Sequence, residues 1–121
     1  MRALAATAAG RGAELVVFPE YSSYFEGVIG RNFVDAAQPL DGSFVAGLSA
    51  FAVEFGIHVV AGMLERVADP DRFSNTLVAI SPAGELVARY RKIHLYDAFG
   101  DRESDWVLFP QAIGGPEGTD P

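Results

Sequence analysis

A short apolar run, Leu15-Val16-Val17-Phe18, is the feature that most restricts the fold of this chain. The run is rich in β-branched residues and ends at Pro19, a pattern typical of a strand buried on both faces. An alanine-rich stretch at residues 3–9 precedes it and predicts a helix, which Gly10-Arg11-Gly12 would end. A helix, a glycine turn and a buried strand in this order predict a layered α/β protein.

The following segments continue the α/β pattern. Residues 21–40 show no periodicity and are expected to be irregular. Asp41-Gly42-Ser43 predicts a helix start, Gly56 its end, and one helical face carries the apolar residues Phe44, Val45, Leu48, Phe51, Ala52 and Phe55. Residues 57–64 indicate a second buried strand, inside which His58 is expected to be a core histidine. Residues 75–80 and 85–90 predict a hairpin joined by the type I turn Ser81-Pro82-Ala83-Gly84.

Composition narrows the class of function. The 121 residues are 50% hydrophobic, enough to build a core, and carry a formal net charge of −7. An acidic chain repels phosphate backbones, and it offers no basic amphipathic run, so we expect neither nucleic acid nor a membrane as a partner. The absence of cysteine rules out a disulfide framework and a thiol nucleophile within this sequence. His58 and His94 lack metal-ligand spacing, so no metal site is expected.

Three places carry residues suited to chemistry. Glu20 directly follows the first strand, where active-site groups collect, and its aromatic neighbours would partly desolvate a general base. Lys92 belongs to a cluster of three cations at the end of the last predicted strand, and it could point inward and hold a carboxylate or an oxyanion. Glu103 lies in the charged loop 101–105. Each has an ordinary alternative: a solvated loop glutamate, a solubilising strand edge and a plain exposed charge run.

Two of these places lie in segments that resemble signatures of the nitrilase superfamily, the carbon–nitrogen hydrolases. The segments are Leu15-Val16-Val17-Phe18-Pro19-Glu20 and Tyr90-Arg91-Lys92-Ile93-His94-Leu95-Tyr96-Asp97. Residues 98–105 look like the continuation found in amidase members of the family. The hairpin beginning at Asn75-Thr76-Leu77 and the strand reaching Gly62 match the family's order of elements. The resemblance runs from about residue 3 to about residue 110.

The resemblance implies a mechanism of thiol hydrolysis for small, non-peptide amides or nitriles. Members of the family use a Glu–Lys–Cys triad, in which Glu20 matches the base and Lys92 the lysine that stabilises the tetrahedral intermediate. Glu103 matches a second glutamate that positions the lysine and the substrate. No cofactor is implied, because such hydrolases carry their own nucleophile and acid–base groups.

The sequence departs from the family pattern, because it contains no cysteine and lacks the family's opening strand and second half. The expected fold is therefore a partial α-β-β-α nitrilase-like sandwich, truncated at both ends. We expect residues 1–110 to form an incomplete carbon–nitrogen hydrolase domain and residues 111–121 a flexible tail. Such a chain would be inactive alone and would form a homo-oligomer or associate with a missing C-terminal half. The N-terminal segment, residues 1–9, faintly resembles a signal peptide, but its apolar run is too short and too rich in alanine. We therefore expect a cytoplasmic protein.

Two other functions compete with a truncated hydrolase. A non-catalytic interaction module could use the aromatic-rich segment 21–33 as its surface. A glycosidase-like carboxylate pair of Glu20 and Glu103 would need a separation of about 5–9 Å across a sugar cleft. A lysine bridging the two carboxylates argues against that pair, since both would stay ionised and no proton donor would remain.

Overall fold

The sheet at the centre of the fold has four strands in the order in which they occur along the chain. The computed structural model describes residues 1–99 and 102–108. Its elements are α1 (Arg2–Gly10), β1 (Leu15–Val17), α2 (Arg31–Ala36), α3 (Ser43–Phe55), β2 (His58–Arg66), β3 (Phe73–Ile80), β4 (Leu86–Arg91) and a 3₁₀ turn (Glu103–Asp105). The mixed α/β class predicted from the sequence is confirmed.

Strand pairing follows the connections. β1 pairs parallel to β2, because α2 and α3 provide the crossover, and β2, β3 and β4 pair antiparallel. The predicted hairpin is confirmed: the Gly84 N–H donates to the Ser81 carbonyl at 2.8 Å, and Gly84 has a φ of 81°. Gly56 ends α3 as predicted, in the left-handed conformation that glycine adopts without strain.

One face of the sheet is covered by α1 and α3. The core between them contains Ala5, Phe18, Leu48, Phe51, Ala52, Val59, Ala61, Met63, Val78 and Ile80, all buried. Leu48, Phe51 and Ala52 belong to the predicted apolar face of α3, so the helical periodicity correctly identified the core side. This layer fixes β2 and β3, and through them the loops at the end of the sheet.

A second cluster covers one end of the opposite face. Phe33 and Phe73 are fully buried and stack at 6.1 Å, and Tyr21 meets Phe33 edge-on at 5.6 Å. Segment 21–40 was expected to be irregular, but it contains α2, which carries Phe33 into this cluster. The short helix depends on that tertiary packing, and a single aromatic anchor leaves no periodicity to detect. The predicted aromatic surface is turned largely inward, with Phe25 and Val28 exposed.

The remainder of that face is open and apolar. Cross-strand register places Leu77 beside Tyr90 and Val17 beside Val60 on it, and Leu15 lies two residues from Val17 on the same side. Leu15 is 53% exposed and Val17 63% exposed, so the prediction of a first strand buried on both faces is wrong. Only one face of β1 meets a helix layer.

Three further expectations concern the surface and the chain end. His58 is exposed on the open face, so the prediction of a core histidine is wrong; its alternating position in β2 points away from the helices. Segment 111–121, predicted to be a flexible tail, lies outside the described residues. Among the described helices, none combines the length and the apolar character needed to cross a membrane.

Candidate active site

The first site residue, Glu20, lies in a tight turn directly after β1. The turn presses on β2 at Gly62, where an added Cβ would lie 2.7 Å from the Glu20 Cα and 3.0 Å from the Pro19 carbonyl oxygen. Two hydrogen bonds close the contact, since the Gly62 N–H donates to Pro19 and the Ser22 N–H donates to the Gly62 carbonyl. Glycine at position 62 therefore sets how closely the Glu20 backbone approaches the sheet.

Lys92 lies between two carboxylates that come from opposite ends of the chain. Its Nζ is 2.9 Å from Glu20 Oε1 and 3.1 Å from Glu103 Oε1. The Lys92 backbone N–H donates to the Asn75 carbonyl at 2.8 Å, which extends the β3–β4 pairing by one residue. The three residues that the sequence singled out are thus brought together at one end of the sheet.

Glu103 is the buried member of this group, with 1% of its surface exposed. Its Oε1 accepts the Tyr96 N–H at 2.7 Å, and its Oε2 accepts the Asn75 amide at 2.9 Å and the Tyr21 hydroxyl. Burial alone would raise the pKa of Glu103, but the donors surrounding it outweigh burial and the pKa is lowered. The buried carboxylate is therefore held as an anion.

The neighbours of Glu103 respond to that anion. Desolvation would lower the pKa of Lys92, but its hydrogen bonds to Glu20 and Glu103 outweigh this and the pKa is raised. Burial, followed by the hydrogen bond to Glu103, raises the pKa of the Tyr21 hydroxyl. Lys92 is thus a stable cation and Tyr21 a stable neutral donor.

Two residues of the site, Asn75 and Tyr21, were not predicted from the sequence. Asn75 is 5% exposed, and its Nδ2 donates to Glu20 Oε1 at 2.7 Å as well as to Glu103. Tyr21 entered the sequence reasoning as an aromatic residue rather than as a hydrogen-bond donor. The available signal was the polar run Ser74-Asn75-Thr76 next to the apolar residues 77–80, because polar side chains buried in a strand require partners.

A cavity of about 200 Å³ opens beside these groups. Glu20, Lys92 and Asn75 form its polar side, and Leu77 and Tyr90 form an apolar side that continues into the open sheet face. A cation, a carboxylate and an apolar wall beside one small cavity suit a compact polar substrate.

The structure also revises expectations about the individual residues. The Glu20 side chain is 49% exposed, so the predicted desolvation by aromatic neighbours is wrong. Its partners are instead Lys92 and Asn75. The charged run 101–105 was expected to be solvent-exposed, but of its described residues, 102–105, Glu103 is buried. The Lys92 bridge between both carboxylates is the arrangement that argues against a glycosidase pair. Within residues 1–99 and 102–108, no cluster of histidine and acidic side chains could hold a metal ion.

Comparison with known proteins identifies the family of this fold. The family model for carbon-nitrogen hydrolases matches residues 1–118. The chain belongs to the carbon-nitrogen hydrolase family. It is similar to a Mycobacterium tuberculosis hydrolase, with 46% identity over 85% of this chain and 36% of the relative. It is also similar to the Homo sapiens omega-amidase, with 34% identity over 74% of this chain and 32% of the relative.

Solved carbon-nitrogen hydrolases share the same fold. The carbon-nitrogen hydrolase of Helicobacter pylori superposes with a TM-score of 0.75 at 25% identity, covering 89% of this chain and 38% of its own. An amidase from Nesterenkonia superposes with a TM-score of 0.69 at 24% identity, over 89% of this chain and 39% of its own. The chain therefore spans about a third of the length of the relatives that it matches.

Proposed function

We propose that this chain supplies the carboxylate and lysine portion of an amidase site, with Glu20 as general base, Lys92 as the cation that stabilises the oxyanion and Glu103 as the group that positions Lys92. The observation that carries the proposal is the contact of Lys92 Nζ with both carboxylates, at 2.9 and 3.1 Å. Buried Glu103 holds the ammonium on one side, while half-exposed Glu20 faces the cavity.

The proposed reaction is acyl transfer from a short amide or nitrile through a cysteine. For an amide, Glu20 takes the thiol proton and the thiolate sulfur attacks the carbonyl carbon, placing negative charge on oxygen near Lys92. Collapse of the intermediate expels the amine, which takes up the proton from Glu20, and water then hydrolyses the thioester. This sequence contains no cysteine, so we infer that the chain alone does not hydrolyse amides.

A cysteine-bearing remainder of a carbon–nitrogen hydrolase domain, in the same protein or in another, would complete the site. The open apolar face with Leu15, Val17, Leu77 and Tyr90 suits such a partner, because it adjoins the cavity and is free of a covering layer among the described residues. We propose that a second sheet from the remaining part of a carbon–nitrogen hydrolase packs on this face, as two sheets pack in a sandwich. The relatives extend beyond the matched third of their length, and that remainder is the source that we propose for the second sheet.

Complementation tests the proposal. The chain is mixed with a cysteine-bearing C-terminal portion of a carbon–nitrogen hydrolase, and release of ammonia from short amides, including ω-amides, is followed. We expect no turnover from either part and turnover from the mixture. Glu20→Gln should reduce the mixture's rate by about 10²–10⁴-fold, and Lys92→Met by about 10²–10³-fold.

Glu54→Gln is the matched control, since Glu54 also pairs with a basic residue, Arg2, but lies on exposed helix surface. It should leave the rate of the mixture unchanged. Turnover by the isolated chain would contradict the proposed dependence on a second part. A stable mixed complex that stays inactive would favour the interaction module instead.

A further inference from the structure

Asn75 is the residue that contacts all three members of the proposed site. One hydrogen of its Nδ2 group is available to each carboxylate, Glu20 Oε1 at 2.7 Å and Glu103 Oε2 at 2.9 Å. Its backbone carbonyl accepts the Lys92 N–H at 2.8 Å. The residue is 5% exposed in the middle of the site, so these contacts decide the orientation of its side chain.

The two carboxylates are held unequally. Glu103 accepts from Tyr21, Asn75, Lys92 and the Tyr96 backbone. Among residues 1–99 and 102–108, Glu20 accepts from Asn75 and Lys92 only, and both donors meet the same oxygen, Oε1. Among the described residues, none donates to Glu20 Oε2. The carboxylate therefore has one oxygen tethered and one free to accept a proton.

We propose that Asn75 is a positioning residue that tethers Glu20 Oε1 to buried Glu103 and so presents Oε2 to the cavity. This inference rests on the proposed role of Glu20 as base. A neutral amide suits the position because it offers two donors to two anions without adding charge. An aspartate would add a third negative charge, and an apolar residue would leave Glu20 with Lys92 alone.

The test uses the fact that Lys92 is the only lysine in the sequence. A carbodiimide converts a carboxylate and an amine in contact into an amide, so peptide mapping reports whether Lys92 lies against Glu20. The half-exposed Glu20 side chain is accessible to the reagent. We expect the wild type to yield the Lys92–Glu20 product, and Asn75→Ala and Asn75→Leu to reduce it several-fold, because Leu restores the volume but not the donors.

Two controls separate tethering from packing and from folding. Asn32 donates to exposed Glu26 at 3.3 Å, so Asn32→Ala removes an amide–carboxylate contact elsewhere and should leave the product unchanged. Ser74→Ala alters the adjacent buried position of β3, whose hydroxyl has no hydrogen-bond partner among the described residues, and should also leave the product unchanged. Equal coupling in Asn75→Leu and the wild type, or an equal loss in Ser74→Ala, would overturn the inference.

A second measurement uses the wild-type chain alone. In nuclear Overhauser spectra of the wild type, the Asn75 Nδ2 protons should show cross-peaks to the side-chain protons of both Glu20 and Glu103. Absence of the cross-peak to Glu20 would overturn the tether however the variants fold. Because neither reading needs turnover, a confirmed tether together with failed complementation would count against the proposed function and not against the position of Asn75.

Discussion

At the scale of single residues, the site depends on the close approach of the Glu20 turn to the β2 backbone at Gly62. Gly62 admits the Glu20 turn, and Tyr21, which follows Glu20, has a φ of 58°, a left-handed conformation that costs free energy in a non-glycine residue. The Tyr21 hydroxyl bond to Glu103 and its packing on Phe33 hold that conformation. A substitution at position 62 therefore tests directly whether the site requires this close approach.

Gly62→Ala should destabilise the chain by about 1–3 kcal/mol, because the new methyl group meets backbone atoms that cannot rotate away. Urea unfolding measures the loss, and carbodiimide coupling of Lys92 to Glu20 should fall with it. Gly47→Ala is the control: nothing lies within 4 Å of its added Cβ in α3, so alanine should stabilise by about 0.5–1 kcal/mol. A Gly62 variant as stable as the wild type would show that the turn can shift at little cost.

Glu103→Gln tests the buried anion. The amide turns one acceptor into a donor that faces other donors, so we expect a loss of about 1–3 kcal/mol at neutral pH. The pKa of Glu103 is lowered in the folded chain. The ionised carboxylate therefore stabilises the fold fully at pH values above its pKa in the unfolded chain, about 4.3, and this stabilisation is lost as the pH falls through its pKa in the folded chain. Urea midpoints measured from neutral to acidic pH should therefore fall less steeply for the variant.

Glu54→Gln supplies the comparison for that series, because it removes an exposed carboxylate paired with Arg2. Its pH dependence should follow the wild type closely. If Glu103→Gln and the wild type lose stability in parallel on acidification, the buried carboxylate does not titrate as described.

At the scale of elements, the sequence predicted whatever local periodicity and turn chemistry encode. Helix α3, the β3–β4 hairpin and the position of Glu20 at a strand end follow from apolar spacing, Gly56 and the Ser81–Gly84 turn. Helix α2 and the burial of Glu103 could not be predicted in this way, because long-range contacts with Phe73 and Asn75 determine them. The exposure of β1 likewise depends on what covers the sheet and not on β1 itself.

Strands β2 and β4 are also joined by a buried ion pair between Glu65 and Arg91 on the helix-covered face of the sheet. Lys92, the next residue after Arg91, points to the open face. Arg91 donates to both oxygens of Glu65 at 2.9 and 2.8 Å, and Thr76 donates to the same carboxylate at 2.8 Å. Adjacent residues of a strand point to opposite faces, so Arg91 on the helix side accompanies Lys92 on the open side.

Arg91→Met should cost about 3–5 kcal/mol, because it leaves the nearly buried Glu65 carboxylate without its cation. Combining it with Glu65→Leu should recover most of that loss, since the isolated charge disappears. Chemical unfolding of both single variants, the double variant and the wild type measures the coupling. Additive losses would show that the two side chains do not depend on each other.

At the scale of the whole molecule, the open sheet face dominates the expected behaviour. Leu15, Val17, Leu77 and Tyr90 are each at least 40% exposed on that face, and β1 has a sheet neighbour on one side only among the described residues. Apolar faces and unpaired strand edges promote association.

We expect the isolated chain to self-associate at micromolar concentration, as measured by sedimentation velocity. The double substitution Val17→Lys with Leu77→Lys should shift it towards monomer. Val28→Lys is the control, since Val28 is 75% exposed but lies outside that face. A monodisperse wild-type monomer with sharp, reversible unfolding would contradict the expectation.

The four side chains around Lys92 come from positions 20, 21, 75 and 103, which span most of the described chain. During synthesis, the ribosome delivers Glu20 and Asn75 before Lys92, and Lys92 before Glu103, so Lys92 first meets Glu20 and Asn75 without Glu103. The full charge arrangement forms only after residue 103 has left the exit tunnel. A nascent chain stalled short of that position would carry Glu20 and Lys92 without the buried Glu103 carboxylate that holds Lys92 on its other side.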